Sequence, residues 1–99
     1  MQSAQFKSVL NHSTIQTINN LQFYYSDSSN PKIGFIVSRK LGSAVERNKF
    51  KRSCRSLFLG LCNNLNKNFS LIVWPKKPLH EYRDLANAFS VLNKKICND

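Results

Sequence analysis

A chain of 99 residues with 15 Lys and Arg against 5 Asp and Glu carries a net charge of +10 and has a pI near 10.0. That length supports one modest core, burying about 60–65% of the surface the unfolded chain exposes, with room for one sheet and two or three helices but little for a deep catalytic pocket. Such charge on a folded domain serves a polyanion, either nucleic acid or an anionic membrane surface, and 41% hydrophobic with 11% aromatic residues argue against a disordered tail.

The opening MQSAQFKSVL holds one lysine and no apolar run of signal-peptide length, so no secretory signal is expected. Within it, AQFKSVL reads as a short helix with Phe6, Val9 and Leu10 on one side. Thr14 to Ile18 is weakly strand-like. LQFYYS alternates Leu21, Phe23 and Tyr25 against Gln22, Tyr24 and Ser26, the pattern of a half-buried strand. DSSNP turns the chain, and IGFIVS, residues 33 to 38, predicts a second and more apolar strand.

Gly42 breaks that strand's continuation and Ser43 opens a helix, because Ser43 and Glu46 have the S-x-x-E spacing of a capping box. The helix is expected to run to about Asn63 or Asn64. NNLNKN makes the next turn, FSLIVW (69 to 74) is a buried strand, and PKKP ends it because proline cannot donate to a ladder. Tyr82, Leu85, Phe89, Leu92 and Ile96 recur at three- and four-residue steps, which predicts a closing amphipathic helix. Strand, helix, strand over residues 33 to 74 is a βαβ unit with parallel strands. The expected fold is α+β: a small sheet of about four strands, three helices and a single domain over residues 1–99.

The segment GSAVERNKFKRSCRSLF holds most of the functional information. On a helical wheel with Arg47 at zero, Phe50, Cys54, Leu57, Phe58 and Leu61 fall between roughly 280° and 20°, and Asn48, Lys51, Arg52 and Arg55 between roughly 40° and 140°. One face packs on the sheet and the next presents cations. Lys49 lies further round, and Arg39 and Lys40 add charge just ahead of the helix. A merely solvated face mixes signs to gain i,i+4 pairs. Here Glu46 is the only carboxylate between Asp27 and Glu81, and Arg47/Lys51 and Lys51/Arg55 repel. An external polyanion resolves that repulsion, and the guanidinium fork suits phosphate oxygens.

Other chemistries fare worse. His12 and His80 are isolated, and no paired carboxylates or Ser/His/Asp set is present. Five acidic residues are too few for a two-metal nuclease site. Cys54, Cys62 and Cys97 form no CxxC pair and read as free thiols of a reducing, cytoplasmic compartment, with no metal site. No stretch approaches the roughly 18 apolar residues that span a bilayer, so no membrane partner is expected. A basic DNA-binding module and a ribosomal protein are the remaining alternatives; no helix precedes the basic one across a short turn, as a helix-turn-helix requires.

GFIVSRKLGSAVERNKFKRSCRSLF resembles the signature of the bacterial ribonuclease P protein component: a strand ending in Ser-(Lys/Arg)-Lys, a glycine, Ala-Val, then Arg-Asn-Arg-x-x-Lys-Arg-x-x-Arg on a helix. Ala44, Val45, Arg47, Asn48, Lys51, Arg52 and Arg55 match, and Lys49 replaces the middle arginine. The resemblance implies a subunit of a holoenzyme whose catalytic centre is RNA. That RNA cuts the 5′ leader from precursor tRNA with Mg2+ bound mainly by the RNA, so no residue of this chain is expected to be catalytic. It implies that Arg39, Lys40, Arg47, Asn48, Lys49, Lys51, Arg52 and Arg55 bind ribonuclease P RNA. It further implies that Phe6, Val9, Leu10, Phe23, Tyr24 and Tyr25 line a cleft for the leader, that the βαβ crossover is left-handed, and that a monomer joins one RNA. The chain departs from the family pattern in its nearly uncharged first residues and in the Trp74-Pro75-Lys76 ending of its last strand.

Overall fold

The computed structural model describes residues 14–82 and 84–97. Strands β1 (Thr14–Ile18), β2 (Leu21–Asp27) and β3 (Lys32–Phe35) precede a long helix α1 (Ala44–Leu65), followed by β4 (Phe69–Pro75) and α2 (Leu85–Cys97). Short 3-10 turns occupy Arg39–Leu41 and Leu79–Glu81. The sheet order is β1-β2-β4-β3, with β1 and β4 antiparallel to β2 and β3 parallel to β4. The expected α+β class and four strands are present, and the described residues hold two α-helices; the helix expected around Phe6 lies outside them.

Local chemistry sets the element ends. Asn19 and Asn20 turn the β1–β2 hairpin at φ 50° and 63°, the left-handed pair a tight hairpin requires and asparagine tolerates. The capping box forms as spaced: Glu46 N–H donates to Ser43 Oγ at 3.2 Å and Ser43 N–H to Glu46 Oε1 at 3.0 Å. Asn66 closes α1 at φ 52°, its N–H donating to Asn63 O at 3.2 Å.

The expected strand at 33 to 38 is shorter, Lys32–Phe35, with a last bond from Ile36 N–H to Val73 O at 3.0 Å. The next bond of a parallel ladder needs the N–H of residue 75. Pro75 has none, so the proline that ends β4 also releases the neighbouring strand. Arg39 and Lys40 consequently sit on a 3-10 turn capped by Ser38, not on a strand end. Gly42 is extended (φ 174°), so space governs it: a Cβ there would meet Glu46 Cβ at 3.2 Å and Leu79 Cδ1 at 3.3 Å.

Period-two alternation divides the sheet into two faces. Leu21, Phe23, Tyr25, Phe69, Leu71 and Val73 point to the helices and are buried with Phe50, Cys54, Phe58, Phe89 and Leu92. Ring pairs lock the layers: Phe58 meets Phe69 edge-on at 5.2 Å from α1, and Phe23 meets Phe89 at 5.3 Å from α2. The other face carries Gln22, Tyr24, Ile72 and Trp74, with Ile72 fully buried. Tyr82, expected in the closing helix, precedes it and packs its ring 5.9 Å from Phe50.

Candidate nucleic-acid interface

Helix α1 buries Phe50, Cys54, Phe58, Leu61 and Cys62 against the sheet, which forces its polar residues outward. Arg39, Lys40, Asn48, Lys49, Arg52 and Arg55 are exposed, and Arg47 and Lys51 are half-buried. The eight expected RNA-binding residues thus share α1 and the turn ahead of it, on two flanks. Arg55 leans toward β3 with its guanidinium carbon 5.5 Å above the Phe35 ring. Lys49 and Arg52 border a groove on the α2 side.

Nothing within the described residues neutralises this surface. The ion pair found there joins Lys67 to Asp27 at 2.9 Å, away from the cationic helix. Glu46 is engaged by the Ser43 backbone and hydroxyl, which hold its carboxyl below the usual range and keep its charge at the positive end of the helix. Arg47 Nε is buried without a hydrogen-bond partner among the described residues, a condition that costs about 1–3 kcal/mol until an acceptor arrives.

The expected leader-cleft residues separate. Phe6, Val9 and Leu10 lie outside the described residues. Phe23 and Tyr25, at 0% and 8% exposure, are core side chains, so neither lines an open cleft. Alternation leaves Tyr24 on the opposite face, where its ring stacks on Trp74 at 6.2 Å and 27° and its hydroxyl donates to Gln22 Oε1 at 3.0 Å. Lys76 Nζ lies 3.1 Å from the Trp74 ring centroid. Sequence reasoning missed Trp74 and Lys76 by treating FSLIVW as uniformly buried; its period of two would have placed Trp74 beside Tyr24.

Among the described residues the remaining thiols and carboxylates form no cluster. Burial pushes the Cys54 thiol up to about 12 and raises that of Cys62, so both stay protonated and unreactive. No group of three His, Cys, Asp or Glu among the described residues could hold a metal. With Asp27 paired to Lys67 and Glu46 tied into its cap, this donor set does not fit a protein-held magnesium ion. No helix of the described residues is long and apolar enough to cross a membrane.

A cationic helix standing on a mixed four-stranded sheet, with the opposite face carrying stacked aromatics and a lysine, defines an α+β domain of the polyanion-binding kind. Residues 1–96 match the sequence model of the family Ribonuclease P. The ribonuclease P protein component of Finegoldia magna is 32% identical over 76 residues, covering 75% of this chain and 67% of that protein. The Thermotoga maritima component is 35% identical over 65 residues, covering 66% of this chain and 56% of its own length. The fold is that of the Staphylococcus aureus RNase P protein, with a TM-score of 0.76 at 23% identity over 97% of this chain and 92% of that one. The chain belongs to the ribonuclease P protein family.

Proposed function

We propose that this chain is the protein subunit of ribonuclease P, and that it aids removal of the 5′ leader from precursor tRNA by a catalytic RNA. The observation that carries the reading is the unneutralised cationic helix: seven cations on α1 and the turn before it, with Glu46 alone opposing them. Phosphates supply the missing counter-charge and displace condensed cations when they bind. Arg39, Lys40, Arg47, Asn48, Lys49, Lys51, Arg52 and Arg55 form the RNA contact, and an RNA oxygen gives Arg47 Nε its acceptor. The leader lies along the other sheet face, where the Tyr24–Trp74 stack accepts bases of any sequence and Lys76 is placed for phosphate.

In this reading the hydrolytic centre and its Mg2+ belong to the RNA, and the protein contributes charge neutralisation and positioning. The chain acts in the cytoplasm as one RNA-binding domain over residues 1–99, one monomer to one RNA, with a left-handed β3–α1–β4 crossover.

Reconstitution tests the assignment. The purified chain is mixed with a bacterial ribonuclease P RNA at low magnesium and near-physiological salt, and cleavage of a precursor tRNA is timed beside an unrelated protein of equal charge. Faster cleavage at the mature 5′ end with this chain alone supports the subunit role. Equal acceleration by the control would reduce the effect to charge screening.

A further inference from the structure

Beside the cationic crest of α1 runs an open groove of about 880 Å3, between that helix, the turn Leu79–Glu81 and the first turn of α2. Its floor is apolar: Phe50 and Leu79 are buried there, and Leu57 and Leu85 are half-buried. Ser53 and Ser56 supply hydroxyls on the α1 wall, and Lys49 and Arg52 stand exposed at the lip. The Tyr82 ring forms part of the opposite wall and is immobilised, because its hydroxyl donates to Asn20 O at 2.7 Å and accepts from Lys76 N at 3.0 Å. The carboxylate on the wall, Glu46, faces away from this duty through its bond to Ser43 N–H.

Resting on the RNA-binding reading above, we infer that this groove receives one unpaired nucleotide of the bound RNA, its phosphate held by Lys49 and Arg52 and its base on the floor between Leu57 and Leu85. The volume falls within the ~300–1,000 Å3 of ligand clefts, which combine an apolar lining with a few polar groups. The lip is cationic and the floor is recessed behind it. A paired A-form helix meets only the crest, since its bases face inward in a groove too narrow for side chains to read. A splayed base reaches the floor, where Ser53 and Ser56 can bond its edge or the ribose 2′-hydroxyl. The crest and the groove then divide the work: phosphates of paired RNA on Arg55 and Lys51, one extruded nucleotide behind Arg52.

Ser53→Leu and Ala86→Leu fill the groove from opposite walls without removing a cation. Binding of the full-length variants to a bacterial ribonuclease P RNA is measured across a salt series, with circular dichroism as the fold control. The expected result is a loss of affinity of roughly 5- to 150-fold, the worth of one stacked or inserted base, at an unchanged salt slope. Because the two substitutions are on different elements, one unfolded variant leaves the other to decide. In parallel, adenosine and uridine monophosphates are titrated into the isotope-labelled protein, and shifts at Ser53, Ser56 and Leu85 are expected that inorganic phosphate does not reproduce. Wild-type affinity in the folded variants overturns the groove proposal and leaves the RNA-binding reading standing. Identical shifts with phosphate alone also overturn it, reducing the site to a phosphate contact. Absence of binding by the unaltered protein would instead sink the RNA-binding reading itself.

Discussion

The hydroxyl of Tyr82 donates to the backbone oxygen of Asn20 at 2.7 Å across 62 residues of sequence. The phenol oxygen itself accepts from the N–H groups of Lys76 and Lys77 at 3.0 and 3.3 Å, so one side chain joins the β1–β2 turn to the chain leaving β4. Burial first, and the neighbouring Glu81 last, raise its pKa despite those two donors. Tyr82→Phe keeps the ring against Phe50 and leaves Lys76 N–H bonded to Asn20 O at 2.9 Å, but strands the Lys77 N–H. The expected cost is about 1–3 kcal/mol with an unchanged urea m-value. A raised acid pKa in the folded state means this contribution is intact below the unfolded pKa near 10 and is lost as pH rises beyond it. Equal stability of the variant across that range would show the clasp to be idle.

Acid tests the start of α1. Glu46 is held below its ordinary 4.5 by the Ser43 backbone and hydroxyl. A depressed carboxyl contributes stability that is present above the unfolded pKa and disappears as pH falls through the folded one. Ser43→Ala should lower stability at neutral pH by about 1 kcal/mol, the usual worth of a serine N-cap. Ser43→Ala keeps the backbone N–H that chiefly holds the Glu46 carboxyl ionised, so it is Glu46→Gln that should flatten the pH dependence below about 4.5. Chemical denaturation at several pH values reads both effects, and parallel curves for Glu46→Gln and the wild type would refute the second.

On the cationic helix, Arg52→Ala and Arg55→Ala should each weaken binding to ribonuclease P RNA and reduce the log–log salt slope by ~0.7–0.9 per lost phosphate contact. Arg55→Ala carries an added stability loss of about 0.5–1 kcal/mol, because its guanidinium also covers the Phe35 ring. Arg52 has no such ring contact among the described residues and serves as the cleaner probe. An unchanged slope in both variants would remove the helix face from RNA binding.

The sheet faces should separate in mutagenesis. Trp74→Ala leaves the helix-side core untouched and should cut preference for leader-bearing over mature tRNA by roughly 5- to 150-fold, the worth of one stacked base. Phe23→Ala opens a cavity beside Phe89 and should instead cost about 3–5 kcal/mol of stability. Thermal melts with a tRNA competition assay distinguish the two, and an unfolded Trp74→Ala would make that residue a core element.

Much of this arrangement was legible in residues alone. Ser43 and Glu46 announced the helix start because capping is decided within four residues, and the 3.6-residue rhythm of α1 placed Phe50, Cys54 and Phe58 inward. What escaped depended on partners distant in sequence. The end of β3 is set by Pro75 of a different strand, so IGFIVS reads longer than the ladder permits. Tyr82 keeps helical spacing with Leu85 yet lies outside the helix, because its hydroxyl is engaged by Asn20, Lys76 and Lys77. The alternation in LQFYYS already sets Tyr24 opposite Phe23 and Tyr25, and the structure keeps that division; only the cleft implied by the family resemblance groups all three.

Trp74 is the chain's one tryptophan. Its indole stands on the sheet face opposite α1 and α2, beside the Tyr24 ring and the Lys76 ammonium group. The protein therefore carries a built-in optical reporter of that surface, needing no label. Selective indole excitation would follow Tyr24, Lys76 and any base laid on the stack, while events along α1 pass silently on the far side of the sheet. The two surfaces can thus be titrated separately in one cuvette.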